Sequence, residues 1–507
     1  MRFRLPIDAI ARSLLRAAAP VLVGLAVAAC AVGPEFKRPD APAADRYTAN
    51  EDETRLPPGL AGTPQEPRQH VSLGARASAD WWTLFRSNEL DAAVLQALAG
   101  SPTLVAASAT LAQAQALVVA QAGTLYPQVM LGAGVGRQKY GAQFLGPAAP
   151  LPPFNYFAVG PSVSYALDYT GGAARSVEQR QALADFQAQQ LRAARLALTG
   201  NVVMQAMAVM SARAQMAAIE SLLADDRRNL DLVQASFDAG SVARVDVLSA
   251  QSQLANDQTL LPPLRQQVSV AQHALAILAG RAPANRTPSP FDLSALSLPQ
   301  ELPVSLPSEL VHRRPDILAA EAQLHAATAS VGVAAADLYP HINLTASGGL
   351  QALTLQSLFE PSSLVFSLAA GLTAPLFDGG TLRAEHRAAT EAMRASAANY
   401  QQTVLQAFKQ VADALEALQH DAELLDAQAK ALDSARANAD LARESYRAGN
   451  VGVLQVLDAQ RLFQGARLGY VRAKAQRYVD TAQLFLALGG TDAEADWREV
   501  PPDSAAR

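Results

Sequence analysis

The chain has 507 residues, half of them apolar, with 41 Lys plus Arg against 46 Asp plus Glu and a formal net charge of −5. That length is enough for two or three ordinary domains, and a charged fraction of 17% with a slight acidic excess gives no global attraction to nucleic acid. The single cysteine, Cys30, excludes an internal disulfide, a Cys-based zinc site and a CxxC redox pair.

Arg2, Arg4, Arg12 and Arg16 precede an apolar stretch from Ala17 to Ala29. Its apolar core is too short to cross a bilayer of about 30 Å as a helix, and a basic flank followed by small residues is the export pattern. Residues 1–29 are therefore expected to be a signal peptide. Val27-Ala28-Ala29-Cys30 resembles the bacterial lipoprotein box, in which the cysteine receives a diacylglycerol and becomes the new N-terminus. The resemblance implies a covalent lipid on Cys30, and Ala31 in place of Asp implies routing to the outer membrane. Residues 30–80 then shift to Pro, Ala, Asp, Glu and Arg, as in Pro39-Asp40-Ala41-Pro42 and Leu56-Pro57-Pro58-Gly59. Such a segment buries too little apolar surface to offset its ordering entropy, so it reads as an extended, lipid-anchored tether. The folded body is expected to start near Trp81-Trp82.

The body contains an internal duplication. Pro102-Thr103-Leu104-Val105-Ala106-Ala107, continuing to Leu125-Tyr126-Pro127, aligns without a gap against Pro315-Asp316-Ile317-Leu318-Ala319-Ala320 through Leu338-Tyr339-Pro340. Gly171-Gly172 answers Gly379-Gly380. Ser236-Phe237-Asp238-Ala239-Gly240 answers Ser445-Tyr446-Arg447-Ala448-Gly449, and Val247-Leu248-Ser249-Ala250-Gln251 answers Val456-Leu457-Asp458-Ala459-Gln460. Landmarks recurring at offsets of about 210 residues identify two copies of one unit, expected over residues 81–290 and 291–490, with a tail at 491–507.

Each unit reads as helix, two strands, very long helix, medium helix. Val404, Phe408, Val411, Leu415, Leu418, Ala422, Leu425, Ala429 and Leu432 are spaced alternately four and three apart, the period of a coiled-coil seam. The first unit keeps a similar seam through Val202, Val209, Ala212, Met216, Ile219, Leu223, Leu230, Val233 and Phe237, interrupted at Gln205 and Asp226. After each Tyr-Pro the period becomes two. Val129, Leu131, Ala133 and Val135, then Phe157 to Leu167, form one hairpin; Ile342, Leu344 and Ala346, then Phe366 to Leu372, form the other. Such strands suit either a membrane or a half-buried soluble hairpin. Four strands cannot close a membrane barrel, whose smallest members have about eight, so spanning strands require several chains to share one barrel. The long helices, roughly 175–237 and 382–447, would each extend about 95 Å at about 1.5 Å per residue, nearly the combined length of the two shorter helices flanking each. The geometry predicts an elongated helical cylinder with a strand-built ring at one end and the Gly240 and Gly449 turns at the other. Pro262-Pro263 must break or kink the returning helix.

The sequence resembles the TolC-like outer-membrane factors, specifically the NodT or OprM-type lipoprotein branch serving efflux pumps of the resistance-nodulation-division class. The residues that carry the resemblance are Cys30 with Val32-Gly33-Pro34, Asp80-Trp81-Trp82 with Phe85, Arg313-Arg314-Pro315-Asp316-Ile317, Ala335 through Tyr339-Pro340, Pro375-Leu376-Phe377 and Tyr446 through Leu457-Asp458-Ala459-Gln460. It implies a mostly α, α+β fold: a homotrimer whose tandem repeats form a twelve-strand outer-membrane β-barrel, an equatorial domain and a long periplasmic α-helical barrel. The implied function is the outer-membrane exit duct of a tripartite efflux pump, passively conducting small molecules from a periplasmic adaptor and an inner-membrane pump. The tip glycines Gly240 and Gly449 fall where adaptors dock. Asp246 and Tyr446 match gate-linking residues; Asp458 matches one carboxylate of a pore-lining pair whose other member is Gln455 here, and Val451 stands where some members have an arginine.

The competing classes are an enzyme and a lipid-anchored helical scaffold or adaptor without a pore. The seven histidines form no HExxH, and Glu321 with His325 lacks a third ligand nearby in sequence. Gly132-Ala133-Gly134-Val135-Gly136 lacks both the GxGxxG spacing and a following helix. No enzyme, metal or cofactor beyond the lipid is expected. A scaffold would place the four period-two segments in water as soluble hairpins.

Overall fold

The computed structural model describes residues 32–40, 46–48, 69–75, 78–139, 152–285 and 291–490. The expected signal peptide, Cys30 and the tail from 491 lie outside these. The strands are β1 (His70–Leu73), β2 (Gln128–Gln138), β3 (Phe154–Leu167), β4 (Glu301–Val304), β5 (His341–Ala352) and β6 (Leu364–Thr373). The helices are α1 (Asn88–Gly100), α2 (Pro102–Ala122), α3 (Gly172–Asp238), α4 (Arg244–Gln258), α5 (Leu261–Leu278), α6 (Pro307–Leu310), α7 (Pro315–Ala336), α8 (Thr381–Arg447) and α9 (Val453–Ala487). Helices α3 and α8 each have 67 residues, so each is about 100 Å long at about 1.5 Å per residue. The chain divides into two compact units, one made of segments up to Pro39, Thr110–Ala188 and Ala319–Tyr400, the other of Asp40–Ala109, Gln189–Leu318 and the chain from Gln401.

The first unit holds an antiparallel four-stranded sheet in the order β2-β3-β5-β6. Its register sorts the side chains. Val129 faces Val163, which faces Ala346, which faces Leu368; Tyr165 faces Leu344, which faces Ala370. Because successive residues of a strand point to opposite faces, one face carries Val129, Leu131, Val135, Phe157, Leu344, Phe366, Leu368 and Leu372. The other carries Gln128, Ser162, Ser164, Asn343, Thr345, Ser347 and Ser367, with small residues such as Gly132 and Gly371 between and with Met130, Phe154, Tyr156 and Val365 as its larger members. The apolar face is bare: Leu131 is 79% exposed, Phe366 81% and Leu368 77%.

Within the segment expected as a tether, residues 32–38, Tyr47 and β1 are docked on the rest of the chain. In the first unit Val32 N donates to Thr170 O at 3.0 Å, Phe36 stacks on His325 with ring centroids 4.3 Å apart, and Arg38 pairs with Glu321 at 2.8 Å. Gly33, at φ +102°, lies against Gly332 so closely that a Cβ would meet its Cα at 2.5 Å. In the second unit β1 pairs in parallel with β4, and Tyr47 donates to Ser305 O at 2.8 Å. Composition understated this order because the binding partner is the body of the protein, which supplies apolar contacts and hydrogen bonds that the segment itself lacks.

The second unit is built on the two seams. Val202, Val209, Ala212, Ile219, Leu223 and Val233 of α3 are buried, as are Val404, Val411, Leu415, Leu418, Leu425 and Ala429 of α8. Trp81 is fully buried, stacked on Phe485 at 5.7 Å, and the indole of Trp82 donates to Asp91 at 3.0 Å. The diproline sits in the first turn of α5, just after the chain leaves α4, so the expected break falls at Thr259 and Leu260.

Candidate functional site

Both helix tips end by the same local chemistry. Gly240 has φ +75°; its N–H donates to Phe237 O at 2.8 Å, and Ser241 N donates to Ser236 O at 2.9 Å. Gly449 has φ +73°, with Gly449 N donating to Tyr446 O at 3.0 Å and Asn450 N to Ser445 O at 2.9 Å. These paired bonds are a Schellman closure, which requires the left-handed conformation that glycine adopts without strain.

The chain then re-enters a helix, and here the tips diverge. Six residues after Gly240, Asp246 is half-buried, and its Oδ2 accepts from Ala243 N at 3.0 Å, satisfying a free amide at the start of α4. Six residues after Gly449 the corresponding residue is Gln455, which is exposed; Gly452 precedes α9 without a side-chain cap. Tyr446 is half-buried and packs with Phe463 against Ala439, Ala442, Val456 and Ala459. Asp246 and Tyr446 make no hydrogen bond with each other among the described residues. The Tyr446 hydroxyl has no partner there, and Asp246 keeps Oδ1 free for a second donor. Asp458 is exposed and lies 3.5 Å from Arg461. Arg244 sits over the Phe237 ring at 6.0 Å, the aromatic in the first tip that answers Tyr446 in the second.

Arg314 has a clear structural role that motif reading alone did not supply. It is buried, forks onto Asp316 at 2.7 and 3.0 Å, and donates to Gln410 at 2.7 Å and to the carbonyl of Ala487 at 2.6 Å. A guanidinium thus meets the carbonyl end of α9, where the helix dipole favours positive charge. His325 is satisfied by Glu178 at 2.9 Å and by the Phe36 stack; Glu178 in turn takes Arg175 at 2.6 Å. Burial pushes the Glu178 carboxyl up, but its bonds from Arg175 and His325 outweigh this and hold it below the usual range. Among the described residues no group of three or more His, Cys, Asp or Glu is arranged to hold a metal ion.

Comparison with known proteins fits this layout. The outer membrane efflux protein family profile matches residues 93–281 and again 306–490. The pyoverdine export outer membrane protein OpmQ of Pseudomonas putida is 32% identical over 444 residues, covering 86% of this chain and 94% of that protein. The cation efflux system protein CusC of Escherichia coli is 28% identical over 476 residues, covering 93% of this chain and 98% of that protein. The solved outer-membrane channel OprN superposes with a TM-score of 0.81 at 29% identity, over 91% of this chain and 99% of that one. These matches set aside the scaffold alternative. With its tandem repeats and its sheet of one apolar and one polar face, the chain belongs to the outer membrane efflux protein family and is a transport protein, the outer-membrane exit duct of an efflux system.

Proposed function

We propose that three copies of this chain close one twelve-strand barrel, that the helix tips gate it, and that a lipid on Cys30 fixes it to the outer membrane. The observation that carries the reading is the sheet register. One face is apolar along all four strands except at Arg137 and Asn155 near one end, the other is mainly polar or small with Met130, Phe154, Tyr156 and Val365 as exceptions, and β2 and β6 are left as open edges. Open edges cannot face lipid, so the sheet is completed by other copies, with Leu344 and Leu368 outward and Asn343 and Ser367 toward water. Two residues beyond Cys30, Val32 is already bonded to Thr170, close to the end of β3, which suits an anchor held beside the barrel. Passage is passive. Selection belongs to an inner-membrane pump of the resistance-nodulation-division class, reached through a periplasmic adaptor that docks at the Gly240 and Gly449 tips. The chain itself is not an enzyme and needs no cofactor besides the lipid.

At the gate, the spare Oδ1 of Asp246 and the unpaired hydroxyl of Tyr446 suit a bond between neighbouring helices of the assembly. A charge-assisted bond of this kind is worth about 1.5–3 kcal/mol, enough when repeated around the ring to bias a shut state that an adaptor can still open. Asp458, repeated by symmetry, makes an acidic ring that favours cations, and Gln455 leaves that ring with one carboxylate per chain. Planar-bilayer recordings test this. Asp246→Ala with Tyr446→Phe raises resting conductance, and Asp458→Asn weakens cation preference with resting conductance unchanged; wild-type conductance in the double variant removes the link from the gate.

A further inference from the structure

Two pairs of acidic side chains lie within the second unit, one in each repeat, away from the tips. Asp226 of α3 and Asp257 of α4 are within hydrogen-bonding reach of each other, and so are Asp421 of α8 and Asp480 of α9. In both, the long helix supplies one acid and the helix returning from its tip supplies the other. Asp226 and Asp421 are each 8% exposed and Asp480 6%. Oδ2 of Asp226 and Oδ2 of Asp421 are buried with no donor among the described residues. The second acid of each pair is held the same way: Gln253 donates to Asp257 at 2.8 Å, and Gln476 donates to Asp480 at 2.9 Å, each from four residues earlier on the same helix. The two pairs are not at equivalent repeat positions. They lie about 20 and about 40 Å from their tip glycines along the helix, so the shared design is not inherited from the duplication.

We propose that Asp226–Asp257 and Asp421–Asp480 are proton-operated clasps, each holding a long helix to its return helix through one shared proton and loosening when that proton leaves. The orphaned oxygens carry the argument. A buried carboxylate without a donor is costly, and a partner of the same charge cannot relieve it unless one of the two is protonated; the O–H then donates to the other's oxygen and satisfies both. The surroundings reinforce this. Asp226 faces Asp257 from α4 and Asp225 on its own helix, the latter engaged by Arg228 and by Gln464 of α9. Asp421 faces Asp480 and Arg477, both from α9, and the guanidinium opposes the shift only in part. Burial first, and the facing acid second, push Asp226 up to about 7 and Asp421 up to about 8.

The sign follows from proton counting. Separated acids ionise near 4, whereas the closed pairs keep one extra proton up to about 7 and about 8. Closure is therefore strongest in acid, weakens as pH rises through that window, and changes no further above it. Within the window each pH unit shifts the closed-to-separated ratio by up to about tenfold. The clasps stand on the burial and pairing of these acids and are independent of the gate reading above.

Hydrogen exchange of the solubilised full-length protein between pH 5.5 and 8.5, corrected for intrinsic rates, reads the clasps without any conductance measurement. The expected result is that protection around Asp226 and Asp257 falls up to about tenfold per unit and levels near 7, while that around Asp421 and Asp480 levels near 8. Asp226→Asn abolishes the pH slope at the first pair and leaves the second; Asp421→Asn does the converse, so each serves as the other's control. Asp257→Asn and Asp480→Asn, whose amides donate to the remaining carboxylate, repeat the test from the return helices. Protection independent of pH in the wild type, or slopes unchanged in the Asn variants, overturns the proposal.

Discussion

Helices α2 and α7 are the same element of the two repeats, aligned without a gap, and they end in opposite environments. On α7, Ile317, Leu324 and Val331 are buried; on α2, their counterparts Leu104, Leu111 and Val118 are only half-buried, and no residue of the helix is fully covered. Val119 is 73% exposed and Val105 66%. By length and composition the segment Pro102–Leu125 could pass for a membrane span, yet its equivalent is a core helix. The difference teaches that the apolar pattern specifies a covered face but not who covers it. In the second repeat the cover is the chain itself; in the first we assign it to a neighbouring copy, as we do for the open sheet edges. An apolar surface of this extent on a lone chain marks an interface.

The largest expected effect would break this comparison if the helices proved alike. Leu324→Ala should lower stability by about 2–5 kcal/mol, the range for emptying a buried leucine site, as read by thermal or denaturant unfolding. Leu111→Asp should leave helical content unchanged but shift the solubilised particle from trimer to smaller species in light scattering. A dispersed trimer in the first case, or an intact one in the second, would show that the two helices are covered in the same way.

The next effect sharpens the sheet's part in the contrast. Leu344→Arg and Leu368→Arg each place charge on the apolar face and should cost about 2–4 kcal/mol near the bilayer midplane. Asn343→Arg and Ser367→Arg, on the opposite face, should be tolerated. The amount of assembled trimer recovered from outer membranes measures this, and equal recovery of all four variants would contradict the register.

A smaller effect concerns the strap that α7 carries and that, among the described residues, α2 lacks. Gly33 is held at φ +102° against Gly332, so Gly33→Val should strain the strap by about 1–3 kcal/mol and lift Val32 to Pro39 away. Faster proteolysis within this stretch, with the trimer intact, is the expected outcome. Unchanged cleavage would mean that the Phe36 stack and the Arg38 pair suffice.

Much of this was legible in the sequence, for definite physical reasons. The seam residues of α3 and α8 lie where their spacing predicts, because a helical period survives any change of partner. The strands' alternation predicted their two faces, and Pro262-Pro263 marked the helix break. The tip glycines were readable because a left-handed turn leaves few other choices of residue. What was not legible depended on long-range partners. The docking of Phe36 on His325 joins residues far apart in the chain, and the Arg314 cap on Ala487 spans most of the second repeat. The acid pairs were half visible: Asp226 stood out as an interruption of the first seam, but only the folded helices show that Asp257 meets it.

The most direct test of the account is the mass of the detergent-solubilised full-length particle. The account predicts three chains, because a four-stranded sheet with two open edges and an uncovered α2 can be completed only by other copies. A monomer, or a dimer soluble without detergent, would contradict it.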